Sequence, residues 1–257
     1  MNNRINKLFQ KKKEKILSVF FTAGFPKLND TAKIAIELEK SGVDLIEIGI
    51  PFSDPIADGP VIQDSNKIAL DNGMNVKLLL SQVKEIRITV ELPILLMGYI
   101  NPVMQYGIEN FIKDSKAAGV DGFILPDLPM AEYEEHFKVL MEENELVNVF
   151  LISPTTSEER IRKIDDASNG FIYAVSSSST TGAKTGFTSK QELYFKKLSD
   201  MKLKNPFLIG FGVSSKETFA TITKFAVGAI VGSAFIKLLK SSSNLSKDIQ
   251  DFINNLK

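Results

Sequence analysis

The chain has 257 residues, with 31 basic and 31 acidic side chains balancing to a formal net charge of +0. It therefore lacks the positive excess by which nucleic acid or an anionic membrane is bound nonspecifically, while its 44% hydrophobic content supplies a sizeable core. The absence of cysteine removes disulfides, thiolate nucleophiles and thiolate-held zinc.

No apolar run approaches the roughly 18 residues of a spanning helix, and the polar, lysine-rich residues 1–15 carry no signal-peptide core. A cytoplasmic protein without membrane or nucleic-acid partners is expected.

In chain order, a polar amphipathic helix precedes the first strand. Short β-rich apolar runs then recur at 17–22, 44–48, 94–97, 122–125, 147–152, 171–175, 207–210 and 229–231. Most are followed by a turn and an amphipathic helix; in 31–40, Ile34 and Leu38 face one way and Lys33, Glu37 and Lys40 the other. Two helical stretches separate the second and third strands, and 244–256 forms a last helix. The only histidine, His136, lies in 131–140, where Tyr133, Phe137 and Leu140 recur at helical spacing among charged residues. It reads as a solvated helix residue, so proton transfer falls to carboxylates, tyrosines or lysines.

Strands that are nearly continuous apolar runs, alternating with helices, predict a parallel sheet covered on both faces. A closed barrel and an open doubly wound sheet both satisfy this. The first strand is followed by Ala23-Gly24-Phe25-Pro26, not by a dinucleotide-binding glycine fingerprint. Eight units in about 250 residues match a barrel. The predicted fold is α/β: a single-domain (β/α)8 TIM barrel over residues 1–257, with an extra N-terminal helix and additional helices after strands 2 and 8.

Such a barrel carries its active site at the C-terminal ends of its strands. Glu47 lies inside the second strand between apolar neighbours, and none of the eight strand runs contains a lysine or arginine to pair with it. Desolvation would raise its pKa toward neutrality and make it an acid and base usable at pH 7. The loop Pro51-Phe52-Ser53-Asp54-Pro55-Ile56-Ala57-Asp58-Gly59-Pro60 is stiffened by proline. It can hold Asp58 against a substrate N–H, although turn or N-cap aspartates account equally well for the composition. Glycine turns at Gly210-Phe211-Gly212-Val213 and Gly232-Ser233 join strands to helices, as in barrel phosphate sites. The serine- and threonine-rich tract 176–189 is a candidate lid, with Lys184 as a proteolysis reporter.

The run Glu47-Ile-Gly-Ile-Pro51 through Asp58-Gly-Pro60 resembles the signature segment of tryptophan synthase α subunits. The resemblance continues through Phe20 and Thr22-Ala-Gly24, Tyr99-Ile-Asn101-Pro102, Gly119-Val-Asp121-Gly, Pro126-Asp127-Leu-Pro129, Tyr173, Thr181-Gly182, Gly210-Phe-Gly212-Val-Ser and Gly232-Ser233-Ala, covering essentially the whole chain. It implies a carbon–carbon lyase needing neither metal nor cofactor. The reaction implied is retro-aldol cleavage of indole-3-glycerol phosphate to indole and glyceraldehyde 3-phosphate, with indole passed to a β subunit in an α2β2 complex. It further implies that Glu47 protonates indole C3 and takes the glycerol-hydroxyl proton, and that Asp58 binds the indole N–H. Phe20, Tyr99, Tyr173 and Thr181 would surround the substrate, and the backbone at Gly182, Gly212, Val213, Gly232 and Ser233 would hold phosphate. Asp54, Asn101, Pro102, Pro126, Asp127 and Pro129 would face the β subunit, though these prolines could equally shape ordinary turns.

The residues agree with this chemistry. Cleavage needs C3 tetrahedral and N1 cationic, which one acid and one anion can arrange, and no strand end carries a lysine for a Schiff base. Departures from the family pattern are Ser179-Thr180 before Thr181-Gly182, Val227 in place of an aspartate, and a stretch 224–228 one residue short. Three other readings stay open at this stage: an isomerase with Glu47 as lone base, a barrel kept only as a partner subunit, and a Mg²⁺ site from Glu47, Asp54 and Asp58.

Overall fold

In the computed structural model, which describes residues 3–176 and 186–257, each predicted apolar run is found in a parallel sheet. The strands are β1 (Ile16–Thr22), β2 (Leu45–Gly49), β3 (Ile94–Met97), β4 (Gly122–Ile124), β5 (Val147–Asn148), β6 (Leu151–Ile152), β7 (Ile172–Val175), β8 (Phe207–Gly210) and β9 (Gly228–Val231). Their order is β5-β4-β3-β2-β1-β9-β8-β7-β6. The two edges are halves of the single run predicted at 147–152. Val149 N–H donates to Phe123 O and Tyr173 N–H to Phe150 O, both at 2.9 Å, so this run joins β4 to β7 and closes the barrel.

The helices are α1 (Arg4–Lys11), α2 (Asp30–Lys40), α3 (Pro60–Asp71), α4 (Val76–Ile86), α5 (Ile100–Tyr106), α6 (Ile108–Ala118), α7 (Met130–Glu132), α8 (Lys138–Glu143), α9 (Glu158–Ala167), α10 (Ser189–Asp200), α11 (Lys216–Ile222), α12 (Ser233–Ser241) and α13 (Leu245–Leu256). None of those described is long and apolar enough to cross a membrane. The expected extra helices are α1, the pair α3 and α4, and the pair α12 and α13. Two helices also follow β3, where one was expected. Pro102 falls in the first turn of α5, where no N–H is needed, and both oxygens of Asp127 accept the Ile100 N–H at 3.0 and 3.1 Å. Gly107, at φ 92, then turns the chain into α6. A π-helical segment, Tyr133–Phe137, joins α7 to α8 and carries His136 exposed to solvent.

Side chains alternate along the strands because the period of an extended chain is two. In β1 and β2, Leu17, Val19, Phe21, Ile46 and Ile48 point outward into the layer under the helices, where Ile34 and Leu38 of α2 meet them. Ile16, Leu45, Leu95, Ile124, Val147, Phe171, Tyr173, Leu208 and Ile230 fill the interior. The same alternation turns Ser18 and Glu47 inward.

The N-terminal mouth is sealed by α1. Ile5 and Phe9 join the interior cluster, with Phe9 and Phe171 ring centroids 5.4 Å apart. Asn3 accepts the Ile5 N–H at 2.9 Å as N-cap, and its amide donates to Asp121 O and Glu145 O, each at 2.7 Å. Buried Asp121 accepts from Arg87 at 2.5 Å, Arg4 at 3.2 Å and the Ile94 N–H at 2.9 Å. Val227, where the family pattern has aspartate, packs against the bottom of the interior, and its carbonyl accepts the Ile16 N–H at 3.0 Å.

Candidate active site

Parallel pairing sets Glu47 level with Phe20 of β1 and Leu95 of β3. It is fully buried in the interior just below the C-terminal mouth. Ser18, level with Leu45 and so two residues deeper, donates its hydroxyl to Glu47 Oε1 at 2.6 Å. Among the described residues Oε2 has no hydrogen-bond partner. Desolvation by burial raises the Glu47 pKa to about 7, with the Ser18 hydrogen bond opposing the rise.

Above Glu47 lies a cavity lined by Phe20, Asp58, Met97, Tyr173, Ile230 and the turns at 211–214 and 232–234. Its apolar walls and convergent polar groups are those of a small-molecule site. Asp58 ends the rigid loop after β2, where its N–H donates to Pro55 O at 3.0 Å and its carbonyl accepts from Gln63 at 2.9 Å. Tyr99 donates to Asp58 Oδ2 at 3.1 Å and accepts the Ala57 N–H at 3.1 Å. The tyrosine expected beside substrate thus also fixes Asp58. Partial burial raises the Asp58 pKa, against the Tyr99 hydrogen bond. The Tyr173 hydroxyl is held neutral by burial and then by the nearby Glu47 and Asp58 charges. Its ring has room because residue 210 is glycine: a Cβ there would lie 2.2 Å from the Tyr173 hydroxyl.

At the far end of the cavity, Gly232 is the N-cap of α12 and has no side chain to occupy the first-turn N–H groups. Ser233 and Ala234 line the same wall, with Gly212, Val213 and Ser214 opposite. Backbone amides and a helix N-terminus at one spot form an anion-binding arrangement. Phe211 and Gly212 both have positive φ, 69° and 82°, and Phe211 O is held by the Ser176 hydroxyl at 2.7 Å. An aromatic residue in the left-handed region is strained, which is typical of a functional turn. Thr181, Gly182 and Lys184, with the rest of lid residues 177–185, lie outside the described residues.

Lys237, Phe211 and Ser18 are among the site residues that the sequence alone did not mark. Lys237 lines the cavity and lies four residues after Ser233 on α12, a helical spacing that could have flagged it. Phe211 lies between two glycines, and nothing local marks its side chain as a wall of the cavity. Ser18 was a visible polar residue in an apolar strand, but its partner depended on register.

A narrower cavity shares Phe20, Asp58, Ile62, Met97 and Phe211 with the first and reaches Tyr99 and Pro126. Around it the loops after β2, β3 and β4 form one rim. Asp54, Asn101, Pro126, Asp127 and Pro129 are exposed there and Pro102 is half-buried. Ile56 and Met104, 86% and 61% exposed, add apolar surface to this rim. The described residues contain no cluster of three metal-ligating side chains, and buried Glu47 and exposed Asp54 do not join Asp58 in one.

The fold and this cleft define a (β/α)8-barrel protein whose C-terminal face carries a cavity above a buried carboxyl and beside the N-terminus of α12. The family model for the tryptophan synthase alpha chain matches residues 6–257. The chain is 57% identical over 251 residues to the tryptophan synthase alpha chain of Flavobacterium psychrophilum, covering 97% of this chain and 99% of that one. It is 51% identical over 255 residues to that of Parabacteroides distasonis, covering 99% of each. Among solved structures, the alpha subunit from Legionella pneumophila matches with a TM-score of 0.90 at 34% identity, covering 100% of this chain and 97% of that one. This chain belongs to the tryptophan synthase alpha chain family, a family of lyases.

Proposed function

We propose that this chain, as one domain in the cytoplasm, cleaves indole-3-glycerol phosphate to indole and glyceraldehyde 3-phosphate without metal or cofactor. It would do so as the α subunit of an α2β2 complex, passing indole to the β subunit for tryptophan synthesis. The observation that carries this reading is Glu47, a fully buried carboxyl with no cation beside it among the described residues, raised to about 7 and lying below the cavity that Asp58 lines. At that pKa it is protonated in a large fraction of molecules at neutral pH, yet its conjugate base remains accessible.

Glu47 delivers a proton to indole C3, making the ring an indoleninium cation, and Asp58 stabilises that charge at N1–H. Glutamate then removes the proton of the glycerol hydroxyl next to C3. The C3 side-chain bond breaks, its electron pair restores the indole ring, and the carbinol carbon becomes the aldehyde. Glu47 ends protonated as it began. Tyr173 and Thr181 position these groups, with Phe20 and Tyr99 beside the ring. Phosphate is held by the amides of Gly212, Val213, Gly232 and Ser233, together with Gly182. Asp54, Asn101, Pro102, Pro126, Asp127 and Pro129 form the β-facing rim, where the exposed Ile56 and Met104 supply apolar contact area.

The test is indole release from indole-3-glycerol phosphate by purified chain, with and without a β subunit and with a chelator. Release that the chelator leaves unchanged and the β subunit accelerates is expected; no release under any condition would reject the reading.

A further inference from the structure

We infer that Ser18 is a positioning residue for Glu47: its hydroxyl anchors Oε1 and leaves Oε2 as the oxygen that carries the transferred proton. This inference rests on the lyase reading above. Ser18 is fully buried, as is Glu47, in a strand whose neighbours are Leu17, Val19 and Phe20. A hydroxyl in that setting needs a partner, and its partner is Oε1 at 2.6 Å.

The register explains the geometry. Ser18 pairs with Leu45 and Glu47 with Phe20, so the contact runs diagonally and the carboxyl is drawn toward the deeper layer of the barrel. The walls around that layer are apolar, including Leu45, Leu95 and Ile124, and the strands offer no cation. The two carboxyl oxygens are therefore unequal. Oε1 accepts a hydrogen bond and is the better site for charge; Oε2, without a partner among the described residues, is the better site for the proton. The same hydroxyl favours the ionised form, which keeps the proton affinity of a buried carboxyl from climbing beyond the neutral range.

The test is the pH profile of kcat/KM for indole release, which reports ionisations of the free enzyme. Because Glu47 must begin protonated, activity falls on the alkaline side as it ionises. In Ser18→Ala that alkaline limb is expected to move up by about one pH unit, the equivalent of losing one net hydrogen bond to a charged group. KM for the phosphorylated substrate should change less than twofold. Ser18→Thr, which keeps the hydroxyl, should restore the original limb. An alanine profile superimposable on that of the unchanged chain overturns the inference, as does activity lowered equally at every pH, which is what a packing role alone would give. Should alanine not fold, Ser18→Cys, with a similar volume and a weaker donor, must show an upward shift, and its absence overturns the inference equally. Failure of the unchanged chain to release indole would instead reject the lyase reading.

Discussion

Asp121 and Glu47 are both buried carboxylates of the barrel, at its opposite mouths, and their surroundings are opposite. At the N-terminal mouth, Asp121 has Arg87, Arg4 and a backbone N–H as partners. Arg87 is itself committed to Gly119 O, Val90 O and Leu92 O. Burial pushes its pKa down to about 10, against the pull of Asp121, so it stays charged. Among the described residues Glu47 has one neutral hydroxyl as partner and one oxygen with none. A fully partnered charge cements structure, whereas a desolvated and half-partnered carboxyl exchanges its proton near pH 7. The comparison teaches that burial alone does not mark a working carboxylate; burial without a cation does.

Substitutions can break this contrast from either side. Glu47→Gln keeps volume but cannot transfer a proton, so indole release should fall by roughly 10²- to 10⁴-fold with the far-ultraviolet spectrum and phosphate-ligand affinity nearly unchanged. Retention of more than about a tenth of the rate would remove Glu47 from the chemistry. Arg87→Ala should do the reverse, costing up to about 3–5 kcal/mol of unfolding free energy by leaving buried Asp121 only the part-exposed Arg4 and one backbone N–H, while leaving kcat near normal in the folded fraction. Denaturant titration measures it, and a loss below about 1 kcal/mol would mean that Asp121 is not held as described. Asp58→Asn removes the anion facing indole N–H and should lower turnover by about 10²- to 10³-fold; near-normal turnover would return Asp58 to a loop-shaping role.

Proton linkage sharpens the contrast further. Glu47 is raised from 4.5 to about 7 on folding, so between these values the folded state binds the extra proton. Its contribution is therefore fully present below about pH 4.5 and is lost as pH rises through about 7, an effect on the order of 3 kcal/mol. Glu47→Gln abolishes this dependence. The stability of the variant relative to the unchanged chain should thus grow between pH 4.5 and 8, and a pH-independent difference would contradict the buried, cation-free setting. The smallest expected effect is at the sealed mouth, where Asn3→Ala removes the cap of α1 and two amide hydrogen bonds and should cost about 2 kcal/mol without changing the pH profile of activity.

Much of this was legible in the sequence because it follows from local rules. The eight strands, the face of α2 that carries Ile34 and Leu38, and an acid inside a strand without a nearby cation are set by period, propensity and charge. The short extra helix α5 after β3 was not legible, since its start depends on Asp127 reaching across from another loop to Ile100. The division of the fifth strand likewise reflects two different neighbours, β4 and β7.

The sequence by itself determined which residues could do chemistry, because residue type fixes proton-transfer capacity and backbone freedom. Only the tertiary structure decided that Ser18 meets Glu47, that Tyr99 holds Asp58 and that Arg87 neutralises Asp121 while no described residue neutralises Glu47. These are contacts between residues 29, 41 and 34 positions apart, set by strand register and loop packing, and no local pattern in the chain encodes them.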